Sequence, residues 1–98
     1  MERIDLTEKA SFSEQFAPQI LKASPNYKIP LICLKPGQEI QPHEGGTGVF
    51  YIVSGKGVMT VDGQEVEVQA GNMVLVDKGE LRGIRATETM MAFAVHII

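Results

Sequence analysis

Short apolar runs separated by glycine and proline turns make up most of the chain. Runs rich in Val, Ile, Met and Phe, with turn residues about every 8–12 positions, are typical of an all-β protein. The pattern predicts nine strands, at residues 19–23, 28–35, 39–43, 49–54, 58–61, 64–69, 73–76, 81–86 and 89–98. The Asp62-Gly63 pair predicts a two-residue hairpin between the fifth and sixth of them.

Three of the predicted strands are apolar on both faces. These are residues 31–34, 49–53 and 90–95. A half-exposed strand would alternate between apolar and polar positions, so these strands are expected between two layers or in the wall of a closed barrel. In the last strand the odd positions are bulky, whereas the even positions include Ala92, Ala94 and His96. We therefore expect this strand beside a cavity or an interface, in a small barrel or jelly roll that leaves few open edges.

The first 18 residues predict no strand. Ser11 or Ser13 is expected to cap a short helical turn through Gln15, which Pro18 then ends. A chain of 98 residues has room for one domain. The predicted organisation is a single barrel over residues 19–98, preceded by an N-terminal extension over residues 1–18.

Composition excludes several classes of protein. Nine Lys and Arg oppose twelve Asp and Glu, and these charges are scattered, so no basic stripe is available for nucleic acid. No apolar run approaches the roughly 18 residues of a membrane span, and the charged first residues lack the core of a signal peptide. Cys33 is the single cysteine, which leaves no intramolecular disulfide. We expect a cytoplasmic protein without nucleic-acid or membrane partners.

Two glycine-spaced segments resemble the two motifs of the cupin family. The first motif runs Gly, five residues, His-x-His, three or four residues, Glu, six residues, Gly, and here Gly37, His43 and Gly55 match it. The second begins with two glycines eight residues apart, as Gly71 and Gly79 are. The resemblance covers about residues 31–86. It implies a double-stranded β-helix barrel that is usually dimeric.

The same motifs depart from the family at the positions that hold a metal. Cupins with a metal typically present three His and one Glu to it. His43 matches the first ligand, but Gly45 and Arg82 stand at the other two His positions and Gly48 at the Glu position. A divalent transition metal needs three or four donors, and an arginine adds a permanent positive charge. We therefore expect no metal site and no cofactor.

Arg82 is the strongest candidate for a functional residue. If it keeps the inward direction of the His that it replaces, its guanidinium lies in the cavity and needs a carboxylate or an anionic ligand. The alternative is that the strand ends at the rim and the side chain reaches water. Strand parity directs Phe50 and Ile52 toward the cavity and Tyr51 away from it. The predicted ligand-binding residues are His43, Phe50, Ile52, Arg82 and His96.

Three functions remain open from the sequence. The first is a metal-free barrel that binds a small molecule with a carboxylate or phosphate, in a homodimer. The second is a cupin-type enzyme. It would be an isomerase or epimerase with His43 as the base, although Tyr51, the tyrosine that could act with it, is expected to point away from the cavity. Alternatively, it would be an oxygenase if a non-standard metal site exists. The third is a structural or interaction barrel filled by its own side chains. An open cavity with Arg82 pointing inward would support the first function, and a filled, closed barrel would support the third.

Overall fold

Nine strands pair into two antiparallel sheets in the computed structural model, which describes residues 1–98. The strands are β1 (Gln19–Ala23), β2 (Tyr27–Leu34), β3 (Glu39–His43), β4 (Thr47–Ser54), β5 (Lys56–Val61), β6 (Gln64–Gln69), β7 (Met73–Val76), β8 (Arg82–Ala86) and β9 (Met90–Ile97). The larger sheet has the order β1-β2-β9-β4-β7 and the smaller one the order β3-β8-β5-β6. The all-β prediction is confirmed, and β1, β3, β6 and β7 have the predicted bounds.

The expected helical turn near residues 11–15 is wrong, and the helix lies earlier in the chain. It is α1 (Leu6–Lys9), where the Asp5 side chain accepts a hydrogen bond from the Glu8 amide at 3.1 Å. Residues 11–17 stay irregular because the carbonyls of Ser13 and Glu14 are hydrogen-bonded elsewhere, by the side-chain amide of Gln38. No helix of the protein has the length and apolar character to cross a membrane.

The main hydrophobic core lies between the two sheets and fills one end of the barrel. Met90, Ala92 and Ala94, the even positions of β9, face Met59 and Ile84 of the smaller sheet across this core. The small-residue face of β9 therefore points inward. At the other end of β9 the same face presents His96, and there the barrel is not filled.

A second, smaller cluster explains why β2 and β9 are apolar on both faces. Leu31, Cys33 and Met91 lie on the outer face of the larger sheet, where Leu6 and Ala10 of the N-terminal segment pack against them. The N-terminal segment thus covers apolar positions that would otherwise contact water. These strands consequently lie between two layers, as their composition predicted.

Candidate functional site

The unfilled end of the barrel holds a cavity of about 440 Å³ between the two sheets. Its apolar lining comes from five strands, through Ile32, Ile40, Phe50, Met59 and Ile84. Its polar lining consists of Lys28, His43, Glu44, Arg82 and His96. This volume and this mixture of an apolar wall with a few polar groups are usual for a small-molecule site of roughly 300–1,000 Å³.

Arg82, the first residue of β8, points into the barrel and is only 2% exposed. Its Nε donates to the Glu80 carbonyl at 2.9 Å, and its Nη2 donates to the carbonyls of Asp77 at 3.0 Å and Gly45 at 3.3 Å. None of the ion pairs in the protein includes Arg82. The structure therefore places the guanidinium inward rather than in water, held by neutral acceptors and without a counter-charge.

Two glycines make room for this guanidinium. A Cβ atom at Gly45 would lie 3.1 Å from Arg82 Nη1, and one at Gly48 would lie 3.3 Å from the same atom. Both distances are tighter than ordinary van der Waals contact, so the guanidinium fits because positions 45 and 48 carry no side chain. The Gly45 carbonyl also accepts from the Gly79 amide at 2.9 Å, which fixes the loop beside Arg82.

His96 lies on the inward face of β9, paired with Lys28 of β2 on one side and Gly48 of β4 on the other. Its ring centroid is 5.6 Å from that of Phe50. The Nε2 atom is buried and has no hydrogen-bond partner. Burial, together with the nearby charges of Arg82 and Lys28 and the neighbouring His43, lowers the pKa of His96 below its usual 6.5.

His43 ends β3 and is exposed. It stands opposite Arg82 in the β3–β8 register, and its Nδ1 lies 3.0 Å from the Gln41 carbonyl oxygen. A carbonyl oxygen can only accept, so Nδ1 carries the proton and donates. In the neutral ring, Nε2 is then free to accept a hydrogen bond from a ligand.

Four of the five predicted site residues line the same cavity: His43, Phe50, Arg82 and His96. Ile52 does not, and this expectation needs correction. It shares the inward face of β4 with Phe50 but lies two residues closer to the packed end, where it is fully buried in the core cluster. Parity gives the face on which a residue lies but not its depth along the barrel.

Sequence reasoning missed Lys28 and the N-terminal residues Phe16, Pro18 and Ile20, which also line the cavity. Lys28 has the same parity as Pro30 and Ile32 in β2, so it could have been found from that strand's inward face. Glu44 is exposed, yet it contributes the one carboxylate in the lining.

The residues at the family's metal positions do not fit a metal centre. The protein contains no group of three or more His, Cys, Asp or Glu side chains placed to hold a metal ion. The Arg82 guanidinium occupies the space that side chains at Gly45 and Gly48 would enter. Tyr51 supplies no donor atom to this site, because it lies on the outer face of the larger sheet. Its ring there packs against that of Phe93, at a centroid distance of 5.6 Å.

Two antiparallel sheets that close over an internal cavity define a small jelly-roll protein of the double-stranded β-helix class. The chain belongs to the cupin family, because residues 30–98 match the family described as Cupin domain. The resemblance that the glycine spacing suggested is thereby confirmed.

Comparison with known proteins adds one curated relative and several solved structures. The chain is 35% identical to the oxalate-binding protein of Thermotoga maritima, over 66% of this chain and 56% of that protein. The chain thus matches little more than half of that relative's length.

Among solved structures, an RmlC-like cupin protein from Desulfovibrio desulfuricans has a TM-score of 0.91 at 24% identity, covering 99% of this chain and 96% of that one. A cupin 2 conserved barrel domain protein from Leptotrichia buccalis has a TM-score of 0.89 at 20% identity, covering 97% of this chain and 47% of that one. These two likenesses show the fold.

Proposed function

We propose that this protein binds a small anionic molecule, with a carboxylate or phosphate group, in the cavity beside Arg82. The observation that carries the proposal is a guanidinium, 2% exposed, that has no carboxylate partner. Its Nε and Nη2 are hydrogen-bonded to backbone carbonyls, whereas Nη1 donates to no group of the protein and lies beside Gly45 and Gly48 at the cavity. A buried charge without a counter-charge is costly, and an anion would offset that cost.

The rest of the lining supports this ligand class. Lys28, which is exposed, adds a second positive charge, and Glu44 is the only acidic side chain that lines the cavity. The two histidines are hydrogen-bonding groups, and the apolar wall suits a small carbon skeleton. The relative named oxalate-binding protein agrees with a small carboxylate as the ligand. The proposed organisation is one barrel over residues 19–98, with residues 1–18 contributing Phe16 and Pro18 to the cavity wall.

Thermal melts with sodium oxalate, acetate and phosphate against sodium chloride at equal ionic strength test the proposal. A ligand at 100 times its Kd stabilises the folded state by about 2.7 kcal/mol, which raises the Tm of a domain of this size by roughly 10–20 °C. Arg82→Gln should abolish the rise. Arg85→Gln is the matched control, because Arg85 lies on the same strand but is exposed. An equal rise in Arg82→Gln, or no rise with any anion, would contradict the proposal.

We also propose that binding requires no metal ion, because the guanidinium of Arg82, a permanent cation, already lies at the family's metal-ligand positions. Elemental analysis of the purified protein, with melts in Mn²⁺, Fe²⁺, Ni²⁺ and Zn²⁺, is the direct test. The variant Gly45→His with Gly48→Glu and Arg82→His restores three His and one Glu, together with His43, and should gain metal-dependent stabilisation. Stoichiometric metal in the natural protein would overturn this part of the proposal and would favour the enzyme alternative.

The assembly we propose is a homodimer, as the family resemblance implies. Tyr51, Met73 and Leu75 lie on the outer face of β4 and β7 and are 37%, 60% and 68% exposed. They form an apolar strip beside Phe93, and a second copy of the chain would cover it. Sedimentation should give a dimer for the natural protein and a monomer for Leu75→Glu. Val66→Glu, an exposed apolar position on β6, is the control and should leave the dimer intact.

A further inference from the structure

His96 and Arg82 face the same small volume of the cavity. A Cβ atom at Gly48 would lie 3.3 Å from Arg82 Nη1 and 3.5 Å from His96 Cδ2, so these two atoms are no more than about 7 Å apart. Nε2 of His96 is bonded to Cδ2 in the ring, is buried, and has no partner. A buried ring nitrogen without a partner is rare because it costs free energy. Because it is bonded to Cδ2, this nitrogen lies no more than about 8 Å from Arg82 Nη1, a span that two carboxylates on a short skeleton can bridge.

The groups around His96 keep its ring neutral in the unliganded protein. Lys28 faces it from β2, Arg82 from β8 and His43 from β3, while β4 contributes only Gly48 and the Phe50 ring. Glu44, in the loop after β3, is the one acidic side chain in the cavity, and it is exposed to solvent. Burial and this positive surround both lower the pKa of His96. A carboxylate placed against the His96 ring would offset this positive surround and favour the imidazolium.

We propose that the ligand is a dicarboxylate and that it binds together with one proton, which His96 takes up from solvent. One carboxylate contacts Arg82 Nη1, and the other contacts the His96 imidazolium. This inference rests on the proposed function and deepens it. A monocarboxylate is satisfied by Arg82 alone and gives His96 no reason to ionise. The site therefore prefers two carboxylates on a short skeleton.

The first test counts protons by titration calorimetry. Oxalate and formate are titrated near pH 7.5 in two non-anionic buffers that differ in ionisation enthalpy. Oxalate binding should take up close to one proton, and formate binding close to none. Between the pKa of His96 in the free protein and in the complex, oxalate affinity should fall about tenfold for each unit of pH increase. Both carboxylates of oxalate stay ionised over this range, because both pKa values of oxalic acid lie below about 5.

The second test observes the ring directly. The chain has two histidines, so a proton NMR titration shows two imidazole signals, and His43→Gln assigns them. The pKa of His96 should rise when oxalate is added. His96→Gln should retain weakened oxalate binding at Arg82 but lose the proton uptake and the steep pH dependence. Arg85→Gln, at an exposed position of β8 outside the cavity lining, should keep both, and it serves as the matched control.

The outcomes separate this inference from the proposed function. Oxalate binding without proton uptake, with the same pH dependence in His96→Gln, overturns the inference and leaves anion binding at Arg82 standing. Formate or phosphate binding without oxalate binding has the same meaning. If none of these anions binds at any pH between 6 and 8.5, both proposals fail.

Discussion

Replacement of Arg82 by methionine tests how the buried guanidinium is stabilised. The substitution removes three hydrogen bonds to backbone carbonyls. Two of these carbonyls keep a backbone donor, since Asp77 still accepts from the Glu80 amide and Gly45 from the Gly79 amide. Only the Glu80 carbonyl is left without a partner in the protein.

The expected loss of stability follows from that count. The hydrogen bond to the Glu80 carbonyl is partly buried, and a buried acceptor that loses its partner costs about 1–3 kcal/mol. The other two bonds are offset by relief from burying an uncompensated charge. We therefore expect Arg82→Met to lower the free energy of unfolding by about 2 kcal/mol, which corresponds to a fall in Tm of roughly 8–16 °C.

Urea denaturation followed by circular dichroism measures this difference without adding salt. Arg85→Met, on the same strand but exposed, should change the free energy of unfolding by less than about 0.5 kcal/mol. The reasoning is refuted if Arg82→Met is as stable as the natural protein or more stable. Equal losses in the two variants would refute it as well, because the effect would then not depend on burial.

Three further predictions concern a turn, a titration and a thiol. Gly55→Ala should cost more than about 3 kcal/mol, because its φ is +82° and its Cβ would clash with the Thr89 carbonyl oxygen. Gly79→Ala, with φ +89° but open space, should cost about 1 kcal/mol in the same urea experiment. The lowered pKa of His96 means that the unfolded chain binds a proton near pH 6.5 before the folded protein does. The free energy of unfolding should therefore fall as the pH drops below 6.5, and His96→Gln should reduce that fall. Burial raises the pKa of the Cys33 thiol, so an aromatic disulfide reagent at pH 8 should modify it much more slowly than in urea.

The strands could be predicted because glycine and proline mark their ends. The positive φ angles of Gly37, Gly55, Gly63, Gly71 and Gly79 show why glycine is found at those turns. The position of β9 beside a cavity could also be predicted, because small residues alternate with bulky ones along this strand. The helix was misplaced because Ser11, Ser13 and Asp5 are all good N-caps, and the choice depends on contacts with Gln38, which is distant in sequence.

The site was predictable in part for the same reason. The family spacing located Arg82, and parity located Phe50 and His96. The environment of Arg82 could not be predicted, because its acceptors are carbonyls of Gly45, Asp77 and Glu80, and a carbonyl is available at every position of a chain. Ile52 was misassigned because its depth in the barrel depends on how the two sheets close.

The buried guanidinium of Arg82 has a consequence for the conditions under which the cavity keeps its charge. Because Arg82 is covalently part of the chain, every molecule carries this cation from synthesis onward. It cannot dissociate from the protein. No chelator removes it, and no competing ion replaces it. Arginine stays protonated throughout the range in which proteins are folded. The positive potential that Arg82 contributes is thus the same in metal-rich and metal-starved surroundings.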